Sequence, residues 1–63
     1  MTTKEIREYL KQRKFQGHIE NYRITKDSEI HIYGTMPNTN KIGWFYIGKT
    51  GDHDIKRQLE YYA

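Results

Sequence analysis

The chain has 63 residues, with 11 Lys and Arg against 8 Asp and Glu and a formal charge of +3. That length leaves room for one modest core and excludes a second domain or a deep substrate cavity, so residues 1–63 are read as a single small domain. Cysteine is absent, which excludes disulfides, thiolate metal sites and cysteine nucleophiles. No apolar run approaches the roughly 20 residues of a membrane span, and Met1-Thr2-Thr3-Lys4-Glu5-Ile6 lacks the apolar stretch of a signal peptide. A soluble, cytoplasmic protein is expected, with no membrane partner.

Thr2-Thr3-Lys4-Glu5 has the form of a capping box, so the sequence predicts a helix from Lys4 to about Lys14, stopped by Gly17. Ile6, Tyr9, Leu10 and Arg13 share one narrow stripe of that helix, which suits a helix lying across a sheet. His18–Ile24 and Glu29–Thr35 are short, β-branched and aromatic, and Thr25-Lys26-Asp27-Ser28 between them reads as the turn of an antiparallel hairpin. A proline-containing loop follows, Met36 to Asn40, and then Lys41–Gly48, the most apolar window. This third strand is apolar on both faces, with Phe45 and Ile47 on one and Ile42, Trp44 and Tyr46 on the other. Thr50 or Asp52 is placed to cap a last helix, in which Ile55, Leu59 and Tyr62 recur on one side while Lys56, Arg57 and Glu60 face outward. The expected fold is α+β in the order α-β-β-β-α, a three-stranded antiparallel sheet with both helices packed on one face.

Several motifs invite a chemical reading. Gly43-Trp44-Phe45-Tyr46-Ile47-Gly48-Lys49-Thr50 matches the letters of a phosphate-binding loop, G-x-x-x-x-G-K-[ST]. That chemistry needs a flexible loop whose N–H groups wrap phosphates, whereas Trp-Phe-Tyr-Ile is bulky and strand-like, so no nucleotide is expected there. His31-Ile32-Tyr33, then Tyr46-Ile47-Gly48-Lys49-Thr50 and then Arg57, resembles the opening of the GIY-YIG nuclease family over about half of the chain. The resemblance implies Tyr33, Tyr46 and Arg57 as residues acting on a phosphodiester. The pattern departs from the family's in reading His-Ile-Tyr, in the helix and strand before it, and in lacking the later helix that carries the metal-binding glutamate. The tyrosines are therefore read as sheet residues and the protein as non-catalytic. His18, His31 and His53 fall on different elements without zinc-like spacing, and Ser28 is a turn residue, so neither a metal, a cofactor nor a serine triad is expected.

The aromatic content stands out more than the charge. Six tyrosines, two phenylalanines and one tryptophan exceed what one covered sheet face can bury, which leaves some on an open face. With Ile30, Ile32, Phe45 and Ile47 turned inward, His31 and Tyr33 become neighbours of Trp44 and Tyr46, with Arg23, Lys41 and Lys49 at the margins. Rings that stack bases beside cations that meet phosphates suit nucleic acid, with DNA the first expectation, and Lys11, Arg13 and Lys14 of the first helix would add phosphate contacts. The alternative is a small regulator or inhibitor of the phage or mobile-element type, docking on a larger host protein through the same face. A homodimer is a further way to cover it. The order α-β-β-β-α also resembles double-stranded-RNA-binding domains, although Asp52-His53-Asp54 stands where those domains carry lysines. Three-stranded-sheet DNA binders such as the arm-binding domains of phage and transposon integrases are a closer architectural likeness.

Overall fold

Thr2 and Glu5 satisfy one another at the start of the first helix as their spacing predicts. Thr2 N–H donates to Glu5 Oε1 at 2.8 Å and Glu5 N–H donates to Thr2 Oγ1 at 3.2 Å. The Thr2 backbone N–H first, and its side chain second, hold the exposed Glu5 carboxyl below the usual glutamate range. In the computed structural model, which describes residues 1–63, this helix is α1 (Thr3–Phe15). It ends in a Schellman closure: Gly17 has φ +82, its N–H donates to Lys14 O at 3.1 Å, and His18 N–H donates to Arg13 O at 3.0 Å.

That closure explains one departure from expectation. His18 remains tied to the helix end, so the first strand, β1 (Asn21–Ile24), begins three residues later than its apolar pattern suggests. Ile19 of the intervening segment turns into the core instead. β2 (Glu29–Thr35) follows a turn in which Ser28 N–H donates to Thr25 O at 3.0 Å and Ser28 adopts φ +66. β3 (Ile42–Lys49) completes an antiparallel meander in the order β1-β2-β3.

Ile32 lies opposite Phe45, Tyr33 opposite Trp44 and His31 opposite Tyr46, but Ile30 lies opposite Gly48. Ile47 is therefore the extra residue of a β-bulge. Two successive residues, Ile47 and Gly48, thus lie on the inner side, and alternation resumes one step out of phase with Lys49 facing outward beside Glu29.

α2 (Ile55–Tyr62) packs beside β3. Its start also differs from expectation. Asp54 is the N-cap and makes no side-chain cap bond. Asp52 closes the preceding turn instead, accepting the Lys49 N–H on Oδ2 at 2.9 Å while its own N–H donates to Lys49 O at 3.1 Å. The carboxylate is committed to the end of β3 and is not free to cap α2.

One aliphatic cluster joins the two layers: Ile6 and Leu10 from α1, Ile30 and Ile32 from β2, Ile47 from β3, Ile55 and Leu59 from α2, and Ile19. Both helices therefore cover the Ile30/Ile32 face of the sheet, and the fold is the expected α-β-β-β-α arrangement with one face open. Tyr9, Tyr22, Ile24 and Phe45 pack around the margin of that core. No helix is long and apolar enough to cross a membrane.

Candidate nucleic-acid interface

Alternation along three paired strands lays out the open face in rows. Arg23, His31 and Tyr46 form one row across β1, β2 and β3, and Asn21, Tyr33 and Trp44 form the next. Ring centroids of His31 and Tyr46 are 5.6 Å apart with planes inclined by 57°, and those of Tyr33 and Trp44 are 5.3 Å apart at 52°. These tilted pairs brace the rings against one another. The Arg23 guanidinium reaches diagonally over the sheet and sits 4.7 Å from the Trp44 ring centroid. Such a cation–π contact at an exposed site is worth about 0.5–1 kcal/mol and holds the charge flat on the face.

The face is exposed at both edge strands and recessed at β2; on β3 Trp44 is 40 % and Tyr46 51 % exposed, and Ile42, two residues before Trp44 on the same side, is 58 % exposed. The phase shift at the bulge adds Lys49 to this face, opposite Glu29. Glu29 Oε1 in turn lies 3.6 Å from His31 Nε2. Lys41 is exposed immediately before β3, where its carbonyl accepts the Met36 N–H at 2.9 Å. Lys41 and Lys49 thus stand at opposite ends of β3, Lys49 on the face of Trp44 and Tyr46 and Lys41 with the parity of Gly43 and Phe45.

The cations of α1 are placed differently, because that helix lies on the covered side of the sheet. Arg13 is half-buried, its guanidinium 5.0 Å from the Tyr9 ring centroid and its Nη2 donating to Tyr9 Oη at 3.0 Å. Lys14 reaches the β1 edge, where Nζ donates to Asn21 Oδ1 at 3.4 Å, and so borders the Asn21, Tyr33, Trp44 row. Lys11 is exposed on the helix and is not brought to the sheet face by any contact. Comparison with protein families, curated proteins and solved structures finds no match.

The chemistry of the face is thus read from its own residues. Tyr33 and Tyr46 share the open face, but Arg57 projects from α2 on the covered side, 3.6 Å from Asp54, so the sheet separates the three residues of the nuclease-like pattern. The phosphate-loop letters from Gly43 to Lys49 fall on β3, which is paired with β2 on both sides of the Ile47 bulge. No group of three His, Cys, Asp or Glu residues is close enough to hold a metal ion. Asn21 and Glu29 belong to the open face and were not among the residues singled out from sequence; each lies two positions before a residue that was, Arg23 and His31, and the period of two could have found them.

Proposed function

We propose that this protein binds nucleic acid, DNA in the first instance, through the open face of its sheet, and that it does so without catalysis. The observation that carries the reading is the half-exposed pair Trp44 and Tyr46 on an uncovered face that also holds Arg23 and Lys49. An aromatic surface supplies contact area with every base, and cations at its margin meet phosphates. Lys41 and Lys14 extend that margin at one end of β3 and at the β1 edge. Glu29 is the acid on the face, and it lies between His31 and Lys49.

Affinity for a labelled oligonucleotide, measured by fluorescence anisotropy as salt is raised from 50 to 200 mM, tests the proposal. If Arg23, Lys41, Lys49 and Lys14 each neutralise one phosphate, counterion release makes binding on the order of 10²-fold weaker across that range. An affinity that does not change with salt would remove the phosphate contacts and with them the reading. A second reading, a protein partner, draws on a different feature: β3 is an edge strand with a free hydrogen-bonding side and an exposed row of Ile42, Trp44 and Tyr46, which suits addition of a partner's strand.

A further inference from the structure

The open face differs in kind from a surface that reads a duplex. Paired bases present only their edges, at the bottom of a major groove about 8.5 Å deep, and reading them requires long hydrogen-bonding side chains that project from the sheet. Arg23 is the guanidinium of this face, and it lies down on Trp44, 4.7 Å from the ring centroid. His31 is recessed, with 20 % of its side chain exposed, and is engaged by Glu29. What the face offers outward is ring surface. Trp44 is held between Arg23 and Tyr33, whereas Tyr46 is half exposed and has one ring neighbour, His31, inclined by 57° so that it does not lie flat on the tyrosine. A half-exposed tyrosine ring is a stacking platform that an unpaired base can use and a base pair inside a duplex cannot.

The cations follow the same line. Lys41 precedes β3 and Lys49 ends it, so at about 3.3 Å per residue the two are roughly 25 Å apart with Trp44 and Tyr46 between them. A strand laid along β3 would meet rings in the middle and Lys49 on the same face at one end; Lys41, whose parity is that of Gly43 and Phe45, meets it by extending past the other end of the strand. Resting on the nucleic-acid reading above, we infer that the ligand is single-stranded nucleic acid, with an unpaired base stacked on Tyr46 and the sugar-phosphate backbone running along β3 from Lys41 to Lys49. The span corresponds to about four nucleotides, the short end of the range for small single-strand-binding domains.

Trp44 is the sole tryptophan of the chain, so its emission reports on this face alone. The experiment titrates the full chain, at 50 mM salt, with a labelled single-stranded 12-mer and with the blunt duplex of the same sequence, following anisotropy and Trp44 emission together. The single strand is expected to bind at least tenfold more tightly than the duplex and to quench Trp44. Tyr46→Ala should weaken single-strand binding about 5- to 150-fold, the range for loss of one stacked base, while Tyr46→Phe keeps the ring and the affinity. Circular dichroism of both variants checks that the fold is retained, and a failure of Tyr46→Ala to fold leaves the decision to the strand comparison. Duplex binding equal to or tighter than single-strand binding, or a folded Tyr46→Ala with unchanged affinity, overturns the inference but leaves nucleic-acid binding standing. Binding of neither form overturns both.

Discussion

Replacing Gly48 by alanine should cost this protein much of its stability, because the bulge places that residue under α2 in a conformation that side chains avoid. An alanine Cβ would lie 2.5 Å from Gln58 Oε1, 3.0 Å from Asp52 Oδ2 and 3.2 Å from Ile55 Cδ1, and the backbone there has φ +144. Backbone strain of this kind costs roughly 1–3 kcal/mol, and because the atoms met are side-chain ends that can give way, the methyl adds at most about 1 kcal/mol. A domain of this size has a total of only about 3–9 kcal/mol to lose. Urea unfolding followed by Trp44 emission is the assay. With a denaturant slope of about 1 kcal/mol/M, Gly48→Ala should lower the midpoint by about 1 M or more, or leave the chain unfolded in buffer. Gly51→Ala is the matched control three residues on, where a Cβ meets nothing within 4 Å; it should stay within about 0.5 kcal/mol of the parent. Equal midpoints for the two variants would refute the account of the bulge.

Three further substitutions probe other parts of the fold. Ser28→Gly should stabilise by about 0.5–1 kcal/mol, since Ser28 holds φ +66 in the hairpin turn, and a lowered urea midpoint would contradict this. Gln58→Met removes a buried Oε1 that has no hydrogen-bond partner and should raise stability by about 1 kcal/mol; a loss would show that the amide is satisfied in solution. Glu5 has its pKa lowered in the folded chain, so its contribution is present above the ordinary glutamate pKa of about 4.3 and is lost as pH falls through the lower folded value. Glu5→Gln keeps the cap acceptor without the charge, so the stability difference between parent and variant should be constant above that pH and shrink below it, and a difference that stays level from pH 6 to pH 2 would exclude the capping carboxylate as its source.

The two layers of the fold could be read from sequence because their determinants are local. The capping box of Thr2 and Glu5, the Gly17 stop, the stripe of Ile6 and Leu10, and the recurrence of Ile55 and Leu59 all act within one or two helical turns. The alternation of Ile30 and Ile32 with His31 and Tyr33 likewise assigns each residue to a face as soon as one face is covered. Asp52 has the residue type and spacing of a helix cap, but its carboxylate takes the Lys49 N–H at the end of β3, a competing partner that the helix pattern does not encode.

Residue types and periodicity alone thus determined that a small aliphatic core would cover one face of the sheet and leave His31 and Tyr33 on the other; β3 is apolar on both faces, and it is its pairing register with β2 that sets Trp44 and Tyr46 beside them. Tertiary structure decided which cations join them. Strict alternation from Tyr46 would send Lys49 inward; the extra residue at Ile47, made tolerable by a glycine beneath α2, turns it outward. Arg23 reaches Trp44 across an intervening strand, Lys14 reaches Asn21 from the helix layer, and Lys11 reaches neither. These placements depend on contacts between elements distant in the chain, so no local pattern of 3.6 or 2 residues encodes them.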